Sequence, residues 1–543
     1  CPVKLPNEFD YGLSQRKAIY LPFEEAVPKR YLIDPENCLK LTKNVCEVCK
    51  KVCKADAIDF EMKEETVKVT ADAIIIATGI EAFDARLKEN YGYGRYKNVV
   101  ISPQIERMIV PTGPTKGKII RPGDGKEPKR FAFILCVGSR DEQVGNLYCS
   151  RVCCMYAIKE ASFLKRRDPS RSIYLFYTDI RAFGKGFEEY YNEAQKVGVK
   201  FIRGRVAEIK ENPETGNLTV KAENTLTGEI VELEFDLIVL AVGLVANPGS
   251  TVIKECLKLP VDSYGFFTEA HPKLKPVETI LDGVFICGCA AGPKDIPDSV
   301  AQAGAAAAKT MNLLAREAVE TDPIRVYVDD ALCDGCGECL EACPLKAISL
   351  KESKAAVNPL LCKGCGSCVG SCSKGALNLA NYTDAQLEAM IKAAVERSFA
   401  KPLLLVFIDD WAAYHVSDFA GLNRLSYPPN LLFIRVPSTC RVHHRLILKA
   451  LSMGVDGVFL ADTEFASAPY IDESMKETDK AVGKAREALA KLGLDPERVT
   501  FLRYVSTQAP RFAMTMRKFA ESMKGKTLSD EDRVKIKEFL GGI

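Results

Sequence analysis

Short apolar runs closed by small residues recur through the middle of the chain. Ala73-Ile74-Ile75-Ile76-Ala77-Thr78-Gly79 and Asp236-Leu237-Ile238-Val239-Leu240-Ala241-Val242-Gly243 are continuous rather than alternating. Such runs predict parallel strands buried on both faces. Gly283-Val284-Phe285-Ile286-Cys287-Gly288-Cys289 reads as a third strand, with a helix following over Ile296 to Gly304. Farther on, Leu403 to Phe407, Leu431 to Arg435, Gly457 to Leu460 and Val499 to Arg503 read as strands alternating with helical stretches. That alternation predicts a second parallel sheet. A helical linker over Asp384 to Glu396 precedes it. The longest apolar run, Leu237 to Ala246, is bounded by Asp236 and Asn247 and falls short of the roughly 20 residues that cross a bilayer.

The 543 residues suggest about three to four domains, and 47% hydrophobic residues supply several cores. Lys+Arg 74 against Asp+Glu 72 leaves a net charge of +2, which argues against nucleic acid or an anionic membrane as partner. No secretory signal is visible at the start. The 21 cysteines are grouped in a way that suits metal clusters better than a disulfide framework, which points to a reducing cytoplasm.

Two of those groups spell C-x2-C-x2-C-x3-C: Cys333, Cys336, Cys339, Cys343, and then Cys362, Cys365, Cys368, Cys372. In bacterial-type ferredoxins two such runs hold two [4Fe–4S] clusters, and the fourth cysteine of each run ligates the other cluster. The spacing therefore predicts one cluster on Cys333, Cys336, Cys339 and Cys372, and another on Cys362, Cys365, Cys368 and Cys343. Zinc needs four thiolates and rarely sets eight in two identical runs.

The chain opens on Cys1-Pro2, which reads as the tail of a ferredoxin run, and continues with Cys38, Cys46, Cys49 and Cys53. By the same rule Cys38, Cys46, Cys49 and Cys1 complete one cluster and Cys53 serves another. A single four-cysteine site of Cys38, Cys46, Cys49 and Cys53 satisfies the spacing equally and stays open. The start at Cys1 rather than Met leads us to expect a domain continued upstream. A further group, Cys136, Cys149, Cys153 and Cys154, ends in two adjacent thiols that lead into a helical stretch from Met155 to Lys159. Adjacent cysteines strain a tetrahedral zinc site but can span two irons, so a cluster is expected here. A redox disulfide or plain burial is the alternative.

The strands ending at Ala77, Thr78, Gly79 and at Gly243 resemble the ATG-type strand of two-dinucleotide-domain flavoproteins of the thioredoxin-reductase kind. The segment through Gly288 and Cys289 to Asp298, Ser299, Val300 and Gln302 resembles that family's last flavin-contacting segment. Cys289 stands where the family has Asp. An ordinary strand–helix unit is the plainer reading of so short a motif. No G-x-G-x-x-G turn lies between a strand and a helix, so part of the FAD site is expected upstream. The run Phe133-Ile134-Leu135-Cys136-Val137-Gly138-Ser139 lacks the turn a nicotinamide cofactor would need.

Taken together, these residues resemble the A-type subunits of heterodisulfide reductase. The resemblance rests on Cys1-Pro-Val-Lys-Leu-Pro-Asn-Glu-Phe-Asp10, Tyr31 to Cys38, Cys136-Val-Gly-Ser-Arg-Asp141, Tyr148 to Ala157, Gly292 to Pro297 and the paired ferredoxin runs. It covers roughly Cys1 to Tyr382. It implies an α/β flavoprotein of the thioredoxin-reductase-like, two-dinucleotide-binding-domain type with inserted and C-terminal ferredoxin-like α+β modules. The expected divisions are 1–62, the remainder of an inserted ferredoxin; 63–320, the FAD-dependent domain; 321–382, the two-cluster ferredoxin; 383–398, a linker helix; and 399–543, a C-terminal α/β parallel-sheet domain. It also implies FAD shared with an N-terminal part, about four complete [4Fe–4S] clusters and a contribution to a fifth. Glu106 and Lys159 resemble the charged pair near the flavin ring, though a surface ion pair is as compatible with the sequence. Tyr427 to Leu431 and Ala450 to Phe459 resemble the delta subunit of methyl-viologen-reducing hydrogenase. That subunit's [2Fe–2S] ligands are missing here, and Cys440 remains alone. The domain is therefore expected to serve as a docking surface, with His443-His444 as a helix start. Cys256, Cys287, Cys289 and Cys440 are read as non-ligands.

The implied function is electron transfer between FAD and chains of clusters, with flavin-based bifurcation. The implied partners are an N-terminal companion carrying the FAD fingerprint, reductase B- and C-type subunits, and a hydrogenase, formate dehydrogenase or ferredoxin, assembled as a dimer of heteromers. A second expectation is the B-type subunit of the quinone-interacting membrane-bound oxidoreductases, which would not bifurcate. A scaffold with structural clusters is a third.

Overall fold

The computed structural model describes residues 1–63, 65–318, 323–398, 400–464, 469–505 and 507–541. The expected domain boundaries at residues 320–321 and 399 lie outside them. The chain divides into two compact units. One comprises Cys1–Ala71, Thr78–Asn247 and Gly288–Ala301; the other comprises Asp72–Ala77, Pro248–Cys287 and Gln302–Ile543.

The first unit is built on a five-stranded sheet ordered Lys200–Arg203, Ser172–Tyr177, Arg130–Val137, Leu237–Val242, Val99–Ile101. Every neighbouring pair is parallel. Of the three inner strands, Arg130–Val137 and Leu237–Val242 read as unbroken apolar runs because both their faces are covered. Against one face lies the helix Cys153–Arg167, which presents Ala157, Ile158, Ala161 and Leu164 to Phe131, Phe133 and Val239. The other face packs Ile134, Ile238 and Leu240 against Val220, Ala222 and Phe235 of an antiparallel meander, Val206–Glu211, Leu218–Asn224 and Glu229–Phe235. The N-terminal segment has only two-residue strands and two five-residue helices, Leu39–Lys43 and Val48–Val52. It is held by polar contacts: the Arg107 guanidinium donates to Asp10 at 2.8 Å, and Gln104 donates to the Tyr11 carbonyl at 2.9 Å.

In the second unit Ile74–Ile76 pairs in parallel with Val284–Ile286. The expectation of a fully buried strand is corrected here. Ile76 is buried, but Ile74 and Ile75 are 40% and 42% exposed, since among the described residues the strand pairs on one side only. The expected linker is the helix Asp384–Arg397, started by a reciprocal capping box between Thr383 and Gln386. The C-terminal sheet is ordered Leu431–Val436, Leu404–Asp409, Gly457–Thr463, Val499–Tyr504, again all parallel. Leu405, Phe407, Val458 and Leu460 fill one face with helix His444–Met453 against them. No helix among the described residues is long and apolar enough to cross a membrane.

Candidate functional site

The two ferredoxin runs fold as near-copies. Each places a five-residue helix, Glu338–Ala342 or Ser367–Ser371, after a glycine with positive φ: Gly337 at 84° and Gly366 at 86°. Gly335 and Gly364 are also fixed by sterics, because a Cβ would fall 2.2 Å from the Ser353 carbonyl oxygen and 2.1 Å from that of Ile324. Cys333, Cys339, Cys343, Cys368 and Cys372 are buried in one core with Ile280, Leu345, Val369 and Leu377. Cys362 and Cys365 are half-buried and Cys336 is exposed. Backbone N–H groups already point at sulfur: Ala347 at Cys343 and Ala376 at Cys372, both 3.3 Å, and Ala355 at Cys333, 3.4 Å.

The eight thiols crowd one another, mostly within two neighbourhoods that Cys339, also felt by Cys368, bridges. Burial, and then Cys372, Cys336 and Cys333, push the Cys339 thiol up to about 11. Burial, then Cys365, Cys343 and Cys362, push Cys368 up well above its ordinary value. Thiols packed so that they resist ionising together suit a cationic centre that takes them all as thiolates. Among the described residues no three His, Cys, Asp or Glu side chains converge on the position of a single metal ion.

Cys136, Cys149, Cys153 and Cys154 meet where the strand Arg130–Val137 hands over to the helix Cys153–Arg167. Cys136 sits near the end of strand Arg130–Val137 with a left-handed φ of 60°. Gly138 follows, and a Cβ there would fall 2.1 Å from the Phe83 ring. Ser139 and Ser150 then hydrogen-bond each other at 3.2 Å, and the Ser150 hydroxyl accepts from the Leu244 N–H. This lock sets Cys149 opposite Cys153 and Cys154, the first two residues of helix Cys153–Arg167. A dinucleotide-type sheet places phosphate at such a helix start; here it carries two buried thiols. Burial, then Cys154, pushes Cys136 up to about 11, while Arg140 opposes the shift. The hydrogen bond between Cys153 and Cys154, with burial, raises Cys153; the same bond lowers Cys154, with Arg181 and Arg140 adding to it against burial.

Beside these thiols a cavity of about 1050 Å³ is lined by Ser102, Glu106, Tyr156, Glu160, Val242 and Leu244, among others. Lys159 donates to Glu106 at 2.7 Å, with side chains 55% and 36% exposed. Glu160 is 1% exposed, and burial, then the Glu106 carboxylate, raises its pKa well above the ordinary value. Its Oε2 and the Ser102 Oγ are buried without a well-formed hydrogen bond in this structure. Two such polar atoms on the wall of an open cavity fit a ligand with polar ring atoms. Of the expected flavin contacts, Thr78, Gly79, Gly243, Gly288, Cys289, Asp298, Ser299 and Val300 belong to the first unit, and Ala77 and Gln302 to the second. Thr78 accepts from Asn247 at 2.9 Å, Asp298 pairs with Arg151 at 2.6 Å, and the Cys289 thiol donates to the Lys294 carbonyl. Gly243 has no room for a side chain, Ser150 Oγ lying 2.9 Å from its would-be Cβ.

At the N-terminus a cavity of about 1330 Å³ brings Cys1, Cys49 and Cys53 to one wall with Tyr31, Ile33 and Phe60. Cys38 is buried and Cys46 half-buried, and neither lines it. Cys256 is exposed and Cys287 buried.

In the C-terminal sheet domain, two buried carboxylates stand at the ends of adjacent strands. Asp409 accepts from the N–H groups of Trp411, Ala412 and Ala413 and so starts the next helix. Burial, then Asp409, pushes Asp462 up to about 7. An unfolded Asp titrates near 3.9, so the folded protein holds this proton more tightly. Stability from Asp462 is therefore full below about pH 4 and is lost as pH rises through about 7. Asp462→Asn is expected to flatten the denaturant midpoint of this domain across that window; an unchanged pH profile would assign the slope to other groups. His443 caps helix His444–Met453, its Nδ1 accepting from Leu446, and its Nε2 lies 3.1 Å from Asp384.

Sequence reasoning missed Glu160 and Ser367. Glu160 lies one helical turn after Tyr156, on the face of the apolar positions, and a carboxylate there was the available signal.

Comparison with known proteins adds the following. The family described as "Methyl-viologen-reducing hydrogenase, delta subunit" matches residues 404–525, and the "4Fe-4S dicluster domain" matches 325–373. The chain is 41% identical over 524 residues to the A-type subunit of the ferredoxin/F420H2-dependent CoB-CoM heterodisulfide reductase of Methanosarcina acetivorans, covering 96% of this chain and 65% of that protein. It is 52% identical over 353 residues to the A-type iron-sulfur subunit of the CoB–CoM heterodisulfide reductase of Methanocaldococcus jannaschii, covering 65% and 53%. It is 48% identical over 402 residues to the A-type subunit of the H2:CoB-CoM heterodisulfide,ferredoxin reductase of Methanothermobacter marburgensis, covering 74% and 60%. The chain thus spans between about half and two thirds of these relatives' length. Among solved structures, thioredoxin reductase of T. acidophilum aligns at 17% identity with a TM-score of 0.31, covering 45% of this chain and 67% of that one.

Proposed function

Because this chain belongs to the family of heterodisulfide reductase A-type subunits, we propose that it is the iron–sulfur flavoprotein part of a soluble, cytoplasmic heterodisulfide-reductase-type complex, relaying electrons between FAD and chains of [4Fe–4S] clusters in flavin-based bifurcation. The observation that supports the reading is the packing of six of the eight ferredoxin-run thiols in one core, with Cys136, Cys149, Cys153 and Cys154 as a further thiol group near a cavity. When bound, FAD accepts an electron pair and passes the electrons on singly to the clusters.

The chain's own residues do the positioning. Tyr156 hydrogen-bonds the Val242 carbonyl and ties this further thiol group to the central strand. Glu160, whose pKa burial raises, and Glu106, paired with Lys159, place two carboxyl groups on the cavity wall. An N-terminal companion segment, reductase B- and C-type subunits and a hydrogenase, formate dehydrogenase or ferredoxin are the proposed partners.

The test is anaerobic purification of the native complex, with its subunits identified and its flavin and iron counted. Bifurcation requires that a two-electron donor reduce ferredoxin only while a heterodisulfide or comparable acceptor is present. A haem-bearing membrane partner would support the quinone-linked reading instead. That reading is favoured by one observation: residues 399–543 hold a single cysteine, Cys440, so electrons have no cluster through which to enter from a hydrogenase.

Lys159→Met separates the two readings of the Glu106–Lys159 pair. An exposed ion pair contributes about 0–1 kcal/mol, so the unfolding midpoint should barely move. Flavin reduction in the complex should slow at least tenfold. Unchanged flavin kinetics would leave the pair as surface charge.

A further inference from the structure

The C-terminal sheet domain has one cysteine, and the structure buries it under the second ferredoxin run. Cys440 lies in the single turn Thr439–Arg441 after strand Leu431–Val436 and is 2% exposed. Its thiol donates to the Cys365 carbonyl at 3.1 Å. The Ser367 hydroxyl, itself 1% exposed, lies 3.3 Å from Cys440 Sγ and 3.5 Å from Cys365 Sγ. The Ser438 hydroxyl lies 3.2 Å from Cys440 on its other side.

The surrounding contacts make this a built interface. Arg441 is fully buried; it donates to the Tyr382 carbonyl at 2.9 Å and pairs with Asp384 at 2.6 Å. Its side chain packs so closely on Gly366 that a Cβ there would fall 2.9 Å from it. Arg445 donates to the carbonyls of Cys372 at 2.7 Å and Ser373 at 2.9 Å. One loop and helix start therefore grip Cys365 and Cys372, which the crossed arrangement assigns to different clusters.

We infer that the loop from Ser438 to Arg445 is a hydrogen-bonding cover for the two-cluster ferredoxin, in which Ser367 and Cys440 are positioning residues that raise the reduction potential of the cluster held through Cys365. This rests on the reading of Cys365 as a cluster ligand. With the Cys365 sulfur bound as thiolate, the Ser367 hydroxyl has one hydrogen and two sulfurs to give it to, and the charged one is the better acceptor. Cys440 bonds the Cys365 carbonyl and the Ser438 hydroxyl and lies 3.3 Å from the Ser367 hydroxyl, so it holds that hydroxyl beside the Cys365 sulfur. Donors to ligand sulfurs, and exclusion of water, are two of the levers that set cluster potentials. A donor stabilises the more negative, reduced form, so its removal lowers the potential. The sheet domain's one remaining thiol thus acts on a cluster without ligating it.

The experiment is a redox titration of the full chain, with clusters assembled anaerobically and followed by electron paramagnetic resonance. The signal is assigned by its altered line shape in Cys362→Ser, which replaces one ligand sulfur by oxygen and keeps the cluster. Ser367→Ala and Cys440→Ala are expected to keep full iron content and to shift that one midpoint negative. A tenfold change in the reduced-to-oxidised ratio is expected, about 59 mV for a one-electron couple. Cys440→Ser, which keeps a donor, should restore most of the shift. Unchanged midpoints at unchanged iron content would overturn the inference and leave the cover as packing alone. Iron loss in Cys440→Ala would overturn it differently, by making Cys440 a ligand. Should Cys365→Ala keep all its iron, the ligand reading falls, and that outcome is distinct from both.

Discussion

Cys368→Ala is expected to cost about four iron atoms per chain and the cooperative unfolding of the ferredoxin core. Cys368 is 5% exposed and packs in one cluster of side chains with Cys343, Val369, Leu377 and Leu379. That core has few large side chains: its strands Val326–Val328 and Leu377–Leu379 are three residues each. A domain so small does not stabilise itself by apolar burial alone, so the metal supplies folding energy as well as a redox centre. Iron analysis and near-ultraviolet circular dichroism read the two losses together. Cys256→Ala, at an exposed position of helix Ser250–Leu257, is the matched control and should change neither. Full iron in Cys368→Ala would remove the crossed ligation scheme.

Asp456→Ala is expected to destabilise the C-terminal sheet domain by about 3–5 kcal/mol, the cost of breaking a buried charged pair from one side. Asp456 is fully buried. Its carboxylate accepts from Arg533 at 2.6 Å and from the N–H groups of Leu403 at 2.8 Å and Leu528 at 3.0 Å. Truncation leaves two buried amides unsatisfied and the Arg533 guanidinium, which keeps the Leu451 and Val455 carbonyls, without its counter-charge. These groups join the start of the first strand, the start of the third and the approach to the last helix, so their loss loosens the whole domain. Chemical denaturation read by Trp411, the chain's single tryptophan, measures the effect. A change below about 1 kcal/mol would mean that water enters and replaces the lost partners.

The inner strands were legible because burial on both faces leaves an unbroken apolar signature. Leu237–Val242 and Leu404–Asp409 follow their runs to within a residue or two. Ile74–Ile76 misled for the same reason: its composition is that of a buried strand, while its exposure depends on neighbours that no local pattern encodes. Cysteine spacing indicated the ferredoxin sets because ligation is a local constraint on the chain. Glu160 was legible only through its place on the apolar face of the helix, one turn after Tyr156, because the adjacent Lys159 gives that stretch the look of a solvated face. Cys440 looked like a remnant. It meets Cys365 across 75 residues of sequence, and no periodicity reports a contact of that range.

The order of the C-terminal sheet has a consequence for what the domain can still bind. Its first strand, Leu404–Asp409, lies between the second and third, so successive connections leave in opposite directions, and the gap between them opens at the strands' carboxyl ends. Open parallel sheets place their ligands in that crevice. Here Asp409 and Asp462 stand on its two sides, and Thr439 and Cys440 follow from the neighbouring strand. The chain's own ferredoxin loop meets Cys440 there. A contact made there by a segment of the same chain has a local concentration fixed by the covalent connection, so it does not depend on how much protein is present.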